Sequence, residues 1–386
     1  MILRNAQKTL VSLSNQFKAV AVIGPRQSGK TTLVRSVFSN KEYVNLENPD
    51  SRQFLMEDPR GFLAQYSEKG AIFDEAQRVP ELFSYLQQIL DESNKPGQYI
   101  LTGSNNFLLQ QNITQSLAGR IGYLTLLPFS IDEIKNQRPK TIDALLFKGF
   151  YPPLYDHKVE TNFWFSNYIR TYIERDVRQL KTIENMFVFE KFLKLCAGRV
   201  GQLLNKNALA LAVGVNNKTI EAWLGVLEAS FIVFRLQPHH KNYNKRVVKM
   251  PKLYFYDTGL VCALLGVQNL NQLEFHPFKG SLFENMVVVE LLKKQLNQGK
   301  SSNLYFWRNK TGNEIDVLID NFNELIPIEI KAGKTITNNY FKGLKYWNNL
   351  TGYKGGKVIY GGEDYQKRSN NFEVIPLDLI DEKIKD

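Results

Sequence analysis

The chain has 386 residues, 43% hydrophobic and 23% charged, the composition of a folded protein of two or three domains and not of a disordered one. The 49 Lys and Arg against 38 Asp and Glu give a net charge of +11, which favours an acidic partner, nucleic acid ahead of an anionic membrane. Cys196 and Cys262 lie far apart in apolar stretches and the four histidines show no ligand spacing, so a disulfide framework and a His/Cys metal site are excluded.

Met1-Ile2-Leu3-Arg4 leads straight into Asn5-Ala6-Gln7-Lys8 without a signal-peptide pattern, and no apolar run approaches the ~20 residues that span a bilayer. A cytoplasmic protein with no membrane partner is expected. The first strong signal is Val20-Ala21-Val22-Ile23 followed by Gly24-Pro25-Arg26-Gln27-Ser28-Gly29-Lys30-Thr31-Thr32. A buried strand, a glycine-bounded loop and a helix in that order make a phosphate-binding loop. Gly24 and Gly29 let successive N–H groups turn inward on an anion, and the helix adds its own free N–H groups. In such a loop Lys30 reaches the β- and γ-phosphates of ATP and the Thr31 hydroxyl holds Mg²⁺.

Glu42 to Glu47 reads as a second strand, and Gly70-Ala71-Ile72-Phe73-Asp74-Glu75 as a buried third one that delivers two carboxylates at its end. Asp74 fits the acid that supports Mg²⁺, and Glu75 the group that polarises the attacking water. A fourth strand, Gln98 to Thr102, ends in Gly103-Ser104-Asn105. Thr102, Ser104 or Asn105 is placed to sense the γ-phosphate, unless these residues only close a turn. Arg120, before a fifth strand at Tyr123 to Leu127, has two readings. It stabilises transition-state charge, in its own site or across the interface of a homo-oligomer, or it is a structural ion-pair residue.

The order Gly-Pro-Arg-Gln-Ser-Gly-Lys-Thr, Asp-Glu-Ala-Gln, Leu-Thr-Gly-Ser and Ala-Gly-Arg resembles a prokaryotic family of AAA+-type ATP-binding proteins, similar to the archaeal-ATPase and STAND branch. The resemblance continues through Gly149-Phe150-Tyr151-Pro152-Pro153, Tyr168 to Val177 and Lys252 to Leu260 into the last hundred residues. It implies an N-terminal ATPase and a C-terminal domain of unassigned function.

Phe163 to Gln179 is amphipathic, with Trp164, Phe165, Tyr168 and Tyr172 at helical spacing among Arg170, Arg175 and Arg178, and reads as a core stripe with a basic flank ahead of a grip on nucleic acid. Asn207 to Gly214 and then Asn216 to Leu227 have the spacing of a helix-turn-helix. Strands at Phe231–Leu236 and Lys252–Tyr256 complete a wing, and from Arg235 to Lys252 there are six Lys/Arg and no acid. Such a wing suits DNA phosphates, and a winged helix used only for protein contacts is the rival reading.

After a helix from Lys279, three strands are expected at Asn303–Arg308, Glu314–Asp320 and Leu325–Ala332. Counting out from the loop Asn321–Glu324, Ile319 faces Ile326, Val317 faces Ile328 and Ile315 faces Ile330. The opposite face then sets Asp316 across from Glu329, with Lys331 on the same side. Asp-x12-Glu-x-Lys resembles the PD-(D/E)xK nuclease core. By that resemblance Asp316 and Glu329 bind Mg²⁺, Lys331 positions or activates water, and Glu284 is the additional acid. The expected architecture is α/β throughout: a P-loop AAA+-like ATPase domain at 1–135, a helical and winged-helix connector at 136–260, and a restriction-endonuclease-like domain at 261–386. ATP and Mg²⁺ are the expected cofactors. The reading is an ATPase that couples ATP to DNA engagement through the wing and the C-terminal domain, with nuclease activity left open. The alternative is a non-cleaving nucleotide switch whose last domain is an interaction or oligomerisation platform.

Overall fold

Strands that are apolar on both sides must be covered on both faces, and in this chain they form a parallel sheet under helices. The computed structural model describes residues 2–103, 113, 115–157, 159–172, 185–239, 248–322 and 324–384. They divide into two compact units, Met1–Phe129 with Ala229–Phe231 and Leu296–Lys300, and the remainder from Ser130 onward.

In the first unit β1 (Ala19–Ile23), β2 (Glu42–Asn45), β3 (Ala71–Asp74), β4 (Tyr99–Thr102) and β5 (Ile121–Thr125) pair in the order β2-β3-β4-β1-β5. Every pairing is parallel. β1, β3 and β4 are buried along their whole length. On one side Val20, Val22, Ile72, Ile100 and Leu124 pack with Ala6, Leu10, Leu33 and Val34. Elsewhere in this unit, Phe73 stacks with Tyr99 at 5.7 Å and meets Tyr66 edge-on at 5.6 Å. The parallel order puts the carboxyl ends of β1, β3 and β4 side by side, with the loop strand and the acid strand flanking β4, as the sequence predicts.

The second unit holds most of the residues assigned above to the connector and to the nuclease-like domain. Trp164 and Tyr168, on the helix Thr161–Tyr172, stack at 5.0 Å and close on Tyr151, so this stripe is core, as its spacing predicts. The helices Lys206–Val213 and Asn217–Ala229 are joined at Gly214, whose φ of +92° favours glycine, and Asn216 accepts the Thr219 N–H at 2.8 Å. They precede the antiparallel pair β6 (Val233–Leu236) and β7 (Lys252–Phe255). His240–Val247, which carries Lys241, Lys245 and Arg246, lies outside the described residues, as do Arg175 and Arg178.

A six-stranded sheet follows: β8 (Leu304–Arg308), β9 (Glu314–Asp320), β10 (Leu325–Lys331), β11 (Gly356–Tyr360), β12 (Gln366–Lys367) and β13 (Phe372–Pro376), in the order β12-β13-β11-β10-β9-β8. Ile326 pairs with Ile319 and Ile328 with Val317, the register expected from the hairpin loop. Ile315, Leu318, Trp307 and Val358 pack with Leu344 and Trp347 from the helix Lys342–Thr351. Cys196 and Cys262 are buried free thiols.

Candidate nucleotide site and a second carboxylate cluster

At the carboxyl end of β1 the chain turns at Gly24, whose φ is +147°. A Cβ there would collide with the Leu126 carbonyl, so glycine is required by both angle and space. Gln27 sits at φ +59°, and Gly29 at +90° caps the helix Lys30–Val37. The loop therefore delivers the free N–H groups of a helix start to one point. Lys30 is buried, and its Nζ donates to the carbonyls of Gly24 (3.0 Å) and Pro25 (2.7 Å). Pro25 is buried, Arg26 half-buried and Thr32 exposed. Ser28 is fully buried, and its Oγ has no hydrogen-bond partner.

The acid strand meets this loop directly. Thr31 Oγ1 donates to Asp74 Oδ2 at 2.9 Å, Tyr43 donates to the same oxygen at 2.7 Å, and the Thr102 hydroxyl donates to Oδ1. The Glu75 N–H adds a contact to Oδ1 at 3.1 Å. Burial and then the Asp74 carboxylate push the Tyr43 phenol well above its ordinary range, so it stays a donor. Glu75 holds a left-handed backbone, φ +56°, and Gln77 Nε2 donates to its Oε2 at 2.5 Å. Four donors on Asp74 fix its rotamer beside Thr31. With the free N–H groups of the loop, the Thr31 hydroxyl and the Asp74 carboxylate make a donor and acceptor set that fits a triphosphate with Mg²⁺.

Two residues of this site carry no sequence signal of their own. Arg4 donates to the carbonyls of Ser28 (2.7 Å) and Leu127 (2.6 Å) and lies 4.9 Å over the Phe129 ring, pinning the loop from outside its motif. Tyr43 is the other. Ser104 and Asn105 lie outside the described residues. Arg120 is brought elsewhere: it precedes β5, and its carbonyl accepts the Ala19 N–H at the amino end of β1. That end is roughly 13 Å from the phosphate loop, the length of the strand. Arg120 there makes a two-pronged pair with Asp91, at 2.5 and 2.9 Å. The expectation that it acts in its own nucleotide site is corrected: the parallel strand carries it to the opposite edge.

The second site lies on the β9–β10 hairpin. One step past the Ile328–Val317 pair, Glu329 stands opposite Asp316, and both are buried. Asp316 Oδ2 accepts the Ile330 N–H (2.8 Å) and faces Lys331 Nζ (3.4 Å), which also reaches Glu329 Oε2 at 2.8 Å. Burial raises Glu329 and the Asp316 charge raises it further, to well above the carboxylate range. Burial also works against Asp316, but Lys331, Lys252 and the Ile330 N–H outweigh it and hold this carboxyl below its usual value. Gly343 is needed here because a Cβ would strike Glu329 Oε1.

Glu284, on the helix Lys279–Asn297, joins the cluster as the sequence predicts, but its partners are unforeseen. Tyr254 donates to Glu284 Oε1 at 2.5 Å and Lys252 Nζ to the same oxygen at 2.9 Å. Lys252 also contacts Glu314, whose other oxygen takes Arg308 at 3.0 Å. Burial alone would strip the proton from Lys252, and the anions around it, Glu284, Asp316 and Glu314, together with Tyr254, hold the ammonium well above its ordinary value. Lys252 is thus no part of a solvent-facing basic wing. Among the described residues no three or more His, Cys, Asp or Glu stand together as a metal-holding group. Of the three acids expected to hold Mg²⁺, Glu284 has Lys252 on one oxygen, and Lys331 stands on one oxygen each of Asp316 and Glu329.

Comparison with known proteins assigns the N-terminal domain and leaves the rest of the chain open. Residues 16–135 match the family described as AAA domain, and residues 139–271 and 279–380 match two domains of unknown function, DUF8612 and DUF4143. The N-terminal part is therefore a P-loop ATPase domain of AAA type, and the chain carries a nucleotide-dependent ATPase. It is 29% identical to the uncharacterized protein Rv2008c of Mycobacterium tuberculosis, over 98% of this chain and 84% of that one. It is 22% identical to the uncharacterized protein MJECL04 of Methanocaldococcus jannaschii, over 92% and 90% of the two chains. Among solved structures it is similar to the Walker-type ATPase paby2304 of Pyrococcus abyssi, with 16% identity, 68% and 96% of the chains covered, and a TM-score of 0.49. Among the described residues no helix is long and apolar enough to cross a membrane.

Proposed function

We propose that this chain is a Mg²⁺-dependent ATPase that couples ATP binding and hydrolysis to engagement of DNA. The carrying observation is Thr31 hydrogen-bonded to Asp74 at the mouth of a glycine-shaped loop, with Glu75 one residue on. Mg²⁺ bound beside Thr31 and Asp74 supplies neutralisation of the charge that develops on the phosphates. The loop amides hold the β-phosphate. Lys30, now on its own loop carbonyls, exchanges them for phosphate oxygens. Glu75 accepts a proton from the attacking water, and Gln77 fixes its direction. Thr102, which donates to Asp74, keeps that carboxylate turned to Thr31.

DNA engagement is supported by the net charge, by a helix-turn-helix followed by two strands that together read as a winged helix, and by exposed Lys218 and Lys249. Turnover of ATP should fall by about a hundredfold or more in Lys30→Ala and in Glu75→Gln. Turnover that survives both substitutions removes this site from the reaction. A second reading, a non-cleaving nucleotide switch whose last domain is an interaction or oligomerisation platform, is favoured by Lys252 and Lys331 standing on the carboxylates of the C-terminal cluster.

A further inference from the structure

We infer that the Lys252 ammonium is a built-in cation of the C-terminal carboxylate cluster, occupying the place between Glu284 and Glu314 and excluding a divalent ion from it. The ammonium is 2.9 Å from Glu284 Oε1 and touches Glu314, while its residue is only 2% exposed. A metal liganded by the same Glu284 oxygen would have to approach to about 2.1 Å. It would then lie within reach of a fixed positive charge in a site shielded from water. Charge balance gives the same answer. Four carboxylates, Glu284, Glu314, Asp316 and Glu329, face three cations, Lys252, Lys331 and Arg308. At most one net negative charge is left, too little to hold a dication stripped of water.

The strand that carries the ammonium is itself tied down. β7 carries Lys252, Tyr254 and Phe255, and the helix Lys279–Asn297 grips all three. Glu284 takes the amine and the phenol, and the Asn285 amide bonds the Phe255 N–H (2.8 Å) and carbonyl (2.9 Å). Withdrawing the ammonium costs it both carboxylate contacts and leaves Glu284 and Glu314 without it in a buried site.

Mn²⁺ titration of the full chain without nucleotide, read by electron paramagnetic resonance, tests this independently of ATP turnover, so a failed ATPase reading leaves it standing. Wild type and Glu284→Gln should give the same Mn²⁺ isotherm. Lys252→Met should gain about one Mn²⁺ per chain with about tenfold or more tighter binding, lost again in Lys252→Met/Glu284→Gln. A Mn²⁺ site in wild type that Glu284→Gln abolishes overturns the inference, as does a folded Lys252→Met that gains none. Should Lys252→Met fail to fold, the comparison of wild type with Glu284→Gln decides alone.

Discussion

Asp257 shows what one buried carboxylate does to the second unit. It is 1% exposed, caps the helix Thr258–Leu264 through the Leu260 N–H (3.0 Å), and accepts the Phe150 N–H at 2.7 Å. Burial raises its pKa from 3.8 to about 6, against the pull of those N–H groups. The sign follows from proton counting. Between about pH 4 and pH 6 the folded chain binds more protons at this residue than the unfolded chain, so its contribution to stability falls as pH rises through that window. Urea unfolding of wild type and Asp257→Asn should therefore diverge there, by at most about 1.4 kcal/mol per pH unit, with wild type losing ground toward pH 6. The lost second acceptor in Asn offsets the whole curve but adds no slope. Parallel curves would mean that the carboxyl is ionised in both states across the window.

Residues of this kind are also where the sequence is least readable. Gly24, Lys30 and Thr31 were legible because the phosphate loop is local, and a run of nine residues carries its geometry; Asp74 was legible as the acid that ends a separate buried strand. Lys252 was not, and Arg120 only in part. Charge and neighbours in the chain read Lys252 as a wing cation and left Arg120 between a catalytic and an ion-pair role. Carboxylates far away in sequence claim both, Glu284 and Glu314 for Lys252 and Asp91 for Arg120, the second of its two readings. Burial of a cation is a property of the fold, and no local pattern announces it.

At the scale of elements, strand periodicity carried most of the information. The β9–β10 hairpin has one apolar face and one charged face, and a one-residue slip would exchange them, so the register could be counted from the loop and was found as counted. The same count set Asp316 against Glu329. It could not supply the next layer, because β7 and the helix Lys279–Asn297 reach the cluster from other parts of the chain. That layer alters what the hairpin is expected to do. With Lys252 in place, supercoiled plasmid incubated with the free protein should stay intact in Mg²⁺ or Mn²⁺. Nicking that disappears in Asp316→Ala would show an open metal site and defeat this expectation together with the role assigned to Lys252.

For the whole molecule, coupling between nucleotide and DNA is a thermodynamic statement before it is a structural one. If ATP changes the affinity for DNA by some factor, DNA must change the affinity for ATP by the same factor. Glu75→Gln allows both to be measured, since it should bind nucleotide without turning it over. With a labelled duplex and a fluorescent ATP analogue, each ligand should shift the other's affinity by about fivefold or more, and the two factors should agree. Phosphate contacts release counterions, so the DNA affinity itself must weaken as salt rises, and Lys218→Ala should reduce that dependence by about one unit of slope. Ratios of one would leave an ATPase with no hold on DNA. Affinity indifferent to salt would remove the basic surface as its point of contact, whatever the ATP titration gives.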